Sequence, residues 1–112
     1  MPNDIFIGID LGTSGARAIA IDKDQAVIAE GKSGLADHGT DHRDPAIWRA
    51  TVFTALSRVT KAIERTYIKA IAIDGTSGSM LPIDAEGTPL AQALMYNDPC
   101  YVTEILDIIS KT

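Results

Sequence analysis

Cysteine is nearly absent from this 112-residue sequence, which excludes a fold held together by disulfides. Cys100 is the single cysteine, so no intrachain disulfide can form, and a reducing cytoplasm is the expected location. No histidine or basic residue is close to it in the sequence, which favours an inert thiol over a nucleophile.

Clusters of basic residues and long apolar runs are also missing. The 10 lysine and arginine residues are outnumbered by 15 acidic residues and are scattered, which argues against a nucleic-acid partner. No apolar run is long enough to span a bilayer, and the N-terminus lacks the pattern of a signal peptide, so no membrane partner is expected. The net charge of −5 still permits phosphate ligands, because Mg²⁺ and backbone N–H groups can hold them.

The sequence does contain a repeated motif, in which nearly the same loop sequence occurs twice. The stretch IDLGTSGARAIAID occupies residues 9–22, and IDGTSGSMLPID occupies residues 73–84. Each begins with Ile-Asp, passes through Gly-Thr-Ser-Gly and ends with Ile-Asp. The repeat indicates two similar turns, each placed directly after a strand.

The apolar periodicity predicts an α/β fold. Asp44-Pro45 is a typical helix start, and the following helix carries an apolar stripe that is predicted to be buried. The stripe consists of Trp48, Val52, Leu56, Val59 and Ile63, and Ala55 and Ala62 widen it. The predicted strands are 4–10, 16–22, 25–32 and 67–74, with short strands 79–84 and 91–96 around a turn, and the predicted helices are about 45–65 and 101–110.

The first three strands are predicted to form an antiparallel meander, with strand 67–74 parallel to strand 4–10. A helix joins these two strands, and such a crossover connects parallel strands in a right-handed sense. Both strands end in Asp before a Gly-Thr-Ser-Gly loop, and ligands of open α/β sheets bind beyond the carboxyl ends of the strands. The two loops are therefore expected to open onto one cleft.

The first loop has the groups of a nucleotide-phosphate site. Gly12 and Gly15 allow the backbone to approach a ligand closely, Thr13 and Ser14 add hydroxyl groups, and Asp10 can bind Mg²⁺ that bridges to a phosphate. Neither the P-loop pattern nor the dinucleotide fingerprint is present. The alternative is an ordinary hairpin turn with a local side-chain hydrogen bond.

The second loop has the groups of a site for a polyol. It offers the carboxylate of Asp74, the hydroxyls of Thr76 and Ser77, and two glycines, and such groups hydrogen-bond sugar hydroxyls. The alternative is a plain connection between two strands.

A third cluster is less informative. His38 and His42 alternate with Asp37 and Asp41, a spacing that could suit a metal ion. The cluster falls in a glycine-containing loop and no second pair of ligands is evident, so a solvated loop is favoured over a metal site.

Three stretches together resemble the N-terminal domain of the FGGY carbohydrate kinases. They are IGIDLGTSGARAIAID (7–22), HRDPAIW (42–48) and IKAIAIDGTSGSMLPIDAEGTPLAQALMYND (68–98). Their order and spacing match the phosphate motif, the helix start and the sugar loop of that family. The resemblance implies a ribonuclease H-like fold of the actin, hexokinase and heat-shock chaperone ATPase superfamily.

The resemblance also implies roles for individual residues. ATP and Mg²⁺ would be the cofactors, with Asp10 as the metal ligand and as the one catalytic residue in this chain. The nucleotide phosphates would be held by Gly12, Thr13, Ser14, Gly15 and Arg17. The sugar would be bound by Asp74, Thr76, Ser77 and Tyr96.

Within the family, the second loop is similar to the D-ribulose kinase or xylulokinase-like branch. Glycerol kinases carry Arg-Glu where Ser77-Gly78 stand, and the Gln-Met-His common in xylulokinases is also missing. The implied activity is transfer of the ATP γ-phosphoryl group to a ketopentose, either D-ribulose or D-xylulose.

Family members are several times longer than this chain, and their catalytic Asp and adenine pocket lie downstream. Residues 1–112 are therefore interpreted as the N-terminal part of the first kinase domain, expected to be inactive alone. An apolar side should be exposed where the rest would dock, which leaves a homodimer open. Two alternatives are a non-sugar ATPase of the same superfamily and a non-enzymatic interaction module.

Overall fold

The computed structural model describes residues 3–95, 98 and 102–111. Four strands and two α-helices follow one another along the chain: β1 (Ile5–Leu11), β2 (Gly15–Asp22), β3 (Val27–Gly34), α1 (Pro45–Thr60), β4 (Ile68–Gly75) and α2 (Val102–Lys111). Short 3-10 turns at Leu35–Asp37 and Arg65–Tyr67 connect some of them. In the described part of the chain, no helix is both long enough and apolar enough to cross a membrane.

The four strands form one mixed sheet in the order β3-β2-β1-β4. β1 pairs with β2, and β2 with β3, in antiparallel fashion, whereas β1 and β4 are parallel. The predicted meander and the predicted parallel neighbour of the first strand are both confirmed. This pairing brings the carboxyl ends of β1 and β4 together at one edge of the sheet.

Helix α1 begins where the sequence predicts. The Asp44 side chain caps it by accepting a hydrogen bond of 2.9 Å from the N–H of Ala46, and Pro45 occupies the first turn. The helix ends at Thr60, five residues before the predicted end, and the chain then passes through the 3-10 turn to β4. Asp44 and Pro45 thus fix the start, since both lower the cost of unpaired N–H groups at the first turn.

The buried line of α1 agrees with the predicted stripe at Ala55 and Val59 and departs from it at Ile47 and Thr51. Its buried residues are Ile47, Thr51, Ala55 and Val59, whereas Val52 and Leu56 are only partly buried beside them. A row at intervals of four residues turns slowly around a helix, so two adjacent rows both touch the sheet and the smaller side chains take the closest position.

The core lies between α1 and one face of β1 and β2. It consists of Ile5, Ile7 and Ile9 of β1, Ala16, Ala18 and Ala20 of β2, and Ala55 and Val59 of α1. Three alanines on β2 allow the helix to approach closely. The opposite face of the sheet carries no helix in the described part of the chain, and this open face presents the alternate residues of β1 and β2.

The segment after β4 is less regular than predicted. The predicted strands 79–84 and 91–96 are reduced to two isolated bridges, Met80 with Leu94 and Ile83 with Pro89. The turn between them is held by Asp84, whose side chain accepts hydrogen bonds from the N–H groups of Glu86 and Thr88. A pairing this short gives too few ladder hydrogen bonds to form a strand.

Candidate functional site

Two carboxylates stand next to each other on the open face of the sheet. Asp10 of β1 and Asp74 of β4 are direct partners in the parallel pairing, and both are exposed. On its other side, Asp10 lies opposite Arg17 of β2, which in turn pairs with Lys32 of β3. A row of four charged residues therefore crosses the sheet, acidic on β4 and β1 and basic on β2 and β3.

A groove of about 290 Å³ runs along this row, and its lining includes Gly8, Asp10, Arg17, Ala72 and Asp74. Side-by-side carboxylates repel each other, and a divalent cation relieves that repulsion. Proteins commonly bind Mg²⁺ through one or two carboxylates, with phosphates and water completing the shell. Among the described residues, no group of three or more metal-ligating side chains is found. Two adjacent carboxylates are the number that Mg²⁺ takes when phosphates and water complete its shell.

The hairpin loop between β1 and β2 closes tightly, as the glycines predict. The Gly12 N–H donates to the Gly15 carbonyl at 2.8 Å, and the Ser14 carbonyl accepts from the Leu35 N–H at 3.0 Å. A Cβ on Gly15 would lie 2.5 Å from the carbonyl oxygen of Ser33, whereas a Cβ on Gly12 would meet nothing closer than 3.6 Å. Strand packing therefore requires glycine at residue 15, and Gly12 leaves room for a ligand.

A second groove, of about 560 Å³, lies beside this hairpin. Ser14, Gly15 and Arg17 line it together with two further cations, Lys32 and Arg58. The Arg58 guanidinium donates to the Lys32 carbonyl. Hydroxyl, backbone and cationic groups are the ones that hold phosphate oxygens.

The second loop is tied directly to the first. Thr76 donates twice to the Leu11 carbonyl, from its N–H at 3.0 Å and from its hydroxyl at 3.1 Å. Gly78 has a φ of 77°, which explains a glycine there because side chains are strained in that region. The expectation that the two loops meet at one edge of the sheet is confirmed.

A smaller cavity, of about 150 Å³, separates the two loops from α1. Its lining is Leu11, Gly12, Thr13, Leu35, Trp48, Gly75, Thr76, Ser79 and Met95. Thr13 and Thr76 thus face one space with Trp48 and Ser79. A largely apolar wall with a few polar groups is typical of small-molecule pockets.

The structure divides the predicted site residues among these spaces. Asp74, predicted with the sugar-binding residues, lies beside Asp10 and lines the same groove as Arg17. Ser77 is exposed and is absent from the lining of all three spaces. Tyr96 lies outside the described residues.

Trp48 and Ser79 are candidates that sequence reasoning missed. Trp48 was expected in the core, but it is half-buried, lines the small cavity and donates from its indole N–H to the His42 carbonyl at 2.7 Å. The first buried residue of α1 is Ile47, so the neighbouring Trp48 is left at the edge of the core. Ser79 follows the repeated Gly-Thr-Ser-Gly directly, which was the signal available for it.

Local hydrogen bonds hold the loop that contains His38 and His42. His38 Nε2 lies 2.8 Å from the Ser33 hydroxyl, and the Asp37 carboxylate accepts from the Gly34 N–H at 3.0 Å. Asp41 accepts from the Arg43 N–H at 3.0 Å. The solvated loop stays a prediction.

Sequence similarity connects this chain to known proteins. The profile of the N-terminal domain of the FGGY family of carbohydrate kinases matches residues 5–112. The chain is 28% identical over 111 residues to a xylulose kinase of Staphylococcus xylosus, with 91% of this chain and 22% of the relative covered. It is 33% identical over 104 residues to a glycerol kinase of Sinorhizobium fredii, with 83% and 20% covered. The chain therefore spans about a fifth of the length of these relatives.

Solved structures agree with the sequence matches. A xyloylose kinase of Brucella ovis superposes with a TM-score of 0.78 at 28% identity, over 96% of this chain and 24% of its own. A xylulose kinase of Bifidobacterium adolescentis superposes with a TM-score of 0.77 at 19% identity, over 97% and 21%. The predicted ribonuclease H-like α/β fold is thus confirmed. The chain belongs to the FGGY family of carbohydrate kinases, whose N-terminal domain it matches over nearly its whole length.

Proposed function

We propose that the protein containing this chain transfers the γ-phosphoryl group of ATP to a hydroxyl of a ketopentose, either D-ribulose or D-xylulose. The observation that carries the proposal is the parallel register of β1 and β4. It sets Asp10 beside Asp74 in one groove and joins the two loops around the small cavity. A phosphate donor and a hydroxyl acceptor need neighbouring sites of these two kinds.

The open-face groove and the hairpin form the proposed phosphate side of the site. Asp10 and Asp74 hold Mg²⁺, which when bound neutralises charge on the phosphates. Gly12, Thr13, Ser14 and Gly15 offer backbone and hydroxyl donors, and Arg17 supplies a cation from the neighbouring strand. The role for Asp74 differs from the sugar contact first expected, because its side chain shares a groove with Asp10.

The small cavity is the proposed acceptor side. Thr13, Thr76 and Ser79 supply hydroxyl groups, and Trp48 supplies a flat apolar wall. Ser77 and Tyr96 stay predicted sugar contacts. Support for a pentose comes from the names of relatives, which include xylulose kinase and ribulokinase, and the matched glycerol kinase makes glycerol the first competing acceptor to test.

We further propose that residues 1–112 form the N-terminal part of the first kinase domain. The relatives are about five times longer, which supports a catalytic base and an adenine pocket supplied by residues beyond this chain. The chain alone should therefore show no sugar-kinase turnover.

The test is an ADP-release assay on the full-length enzyme with D-ribulose, D-xylulose, L-ribulose, gluconate and glycerol. Asp10→Asn should lower kcat by about 100-fold or more, with unchanged unfolding behaviour, because Asp10 is exposed. Asp24→Asn, in an exposed turn, is the matched control and should keep full activity. ATP hydrolysis that no sugar stimulates, or full activity of Asp10→Asn, would contradict the proposal.

A further inference from the structure

The charged row on the open face contains an unexpected pairing. Asp10 and Arg17 are directly opposite each other in the antiparallel pair of β1 and β2, and opposite charges in this position usually attract each other into contact. Yet within the described part of the chain Asp10 forms no ion pair. Arg17 instead places its Nε 3.2 Å from Oε1 of Glu30 on β3.

Glu30 is well placed to compete with Asp10 for this guanidinium. It lies on the open face two residues before Lys32, the direct partner of Arg17, so it reaches Arg17 diagonally across the strands. Lys32 Nζ also lies 3.9 Å from the same carboxylate oxygen. Both cations of the row, Arg17 and Lys32, thus lie near the Glu30 carboxylate on β3 and not near Asp10 on β1.

The pairing is weak enough to be released by a ligand. The side chains of Arg17 and Glu30 are 51% and 43% exposed, and ion pairs at such positions contribute little because water screens them. A phosphate group entering the groove presents more negative charge than one carboxylate and can accept two parallel hydrogen bonds from a guanidinium.

We propose that Glu30 is a positioning residue that holds Arg17 off Asp10, so that the Asp10 carboxylate stays free for the metal–nucleotide complex. This inference rests on the proposed function for its ligand, but the placement of Arg17 can be tested without any ligand. In the absence of Glu30, Arg17 turns to Asp10 and the two neutralise each other.

The test uses Glu30→Gln, which keeps the shape of the side chain and removes its charge. Titration of the full-length enzyme with a non-hydrolysable ATP analogue and Mg²⁺ should show about two- to fivefold weaker binding, with the same change in KM for ATP and an unchanged kcat. If Glu30 were only a nearby negative charge, its removal would strengthen phosphate binding instead. Glu86→Gln, exposed in a distant turn, is the matched control and should change neither value.

A crystal structure of ligand-free Glu30→Gln supplies the readout that is independent of activity. The expected result is a contact between the Arg17 guanidinium and the Asp10 carboxylate. If Arg17 stays away from Asp10, or if it moves there while nucleotide binding is unchanged or stronger, the inference is overturned. An enzyme that binds no nucleotide would refute the proposed function, and the position of Arg17 would then still decide whether Glu30 holds it.

Discussion

Gln25, in the turn between β2 and β3, has a φ of 67°, a left-handed conformation that costs a side-chain-bearing residue about 1 kcal/mol or more. Gln25→Gly should relieve this strain and raise the free energy of unfolding by up to about 1 kcal/mol. Urea denaturation followed by the fluorescence of Trp48, the single tryptophan, measures the change.

Asp24→Gly is the matched control in the same turn. Asp24 does not have a positive φ, so glycine there adds only chain entropy to the unfolded state and should destabilise by about 0.5–1 kcal/mol. Equal effects of the two substitutions would show that the left-handed conformation of Gln25 stores no strain.

At single residues, the sequence indicated which chemical groups are available but not where each one lies. Asp10 and Thr13 were predicted as site residues because a carboxylate and a hydroxyl group stand in a glycine turn after a strand, and these roles stay predictions. The side on which Asp74 acts could not be predicted, because a shift of one residue in the pairing of β1 and β4 would have turned it to the other face. The position of Glu30 beside Arg17 depends on the register of β2 and β3, which the sequence does not specify either.

At the level of elements, the contact between β3 and α1 depends on one glycine. A Cβ on Gly31 would lie 2.8 Å from Cβ of Arg58 and would press on the Ala55 backbone of the helix. Gly31→Ala should therefore destabilise the chain by about 1–3 kcal/mol, since helix and strand would have to separate. Thermal unfolding followed by circular dichroism checks this value.

Gly8 in β1 provides the comparison, because a Cβ there would meet nothing within 4 Å. Gly8→Ala should change stability by no more than about 0.5 kcal/mol. Similar losses in both variants would mean that glycine matters for strand flexibility and not for the close approach of α1.

The elements that the sequence predicted well are those with their own local signals. Asp44 and Pro45 marked the start of α1, and a nearly continuous apolar run rich in strand-forming residues marked β1. The end of α1 lacked such a signal, since no glycine follows Thr60 within ten residues. The segments after β4 contain residue types that are common in strands, but their tertiary surroundings allow only isolated bridges between them.

For the whole molecule, the order of strands and an exposed apolar side were both expected from the sequence, whereas the position and extent of the exposed surface were not. The crossover rule placed β4 beside β1, and the repeated loop showed which ends had to meet. Helix α1 packs mainly on β2 and β3, so β4 is exposed along almost its entire length. The degree of exposure depends on how far one helix reaches across the sheet, which no local pattern encodes.

The exposed β4 leads to a prediction for the isolated chain. Ile71 and Ile73 are 49% and 70% exposed, and β4 is an edge strand whose unpaired backbone groups can pair with another chain. The 112-residue chain should therefore associate as its concentration rises, which sedimentation velocity will detect. Ile73→Lys should shift it towards the monomer, because a lysine on an edge strand opposes pairing and this exposed position tolerates it.

Ile83→Lys distinguishes association through the β4 edge from non-specific hydrophobic association. Ile83 is 58% exposed but lies after the sheet, in the irregular segment, where it forms an isolated bridge with Pro89. Association through β4 predicts that Ile73→Lys weakens self-association more than Ile83→Lys does. Equal weakening would assign the association to scattered apolar side chains, and a monomer at every concentration would mean that the β4 edge is protected in solution.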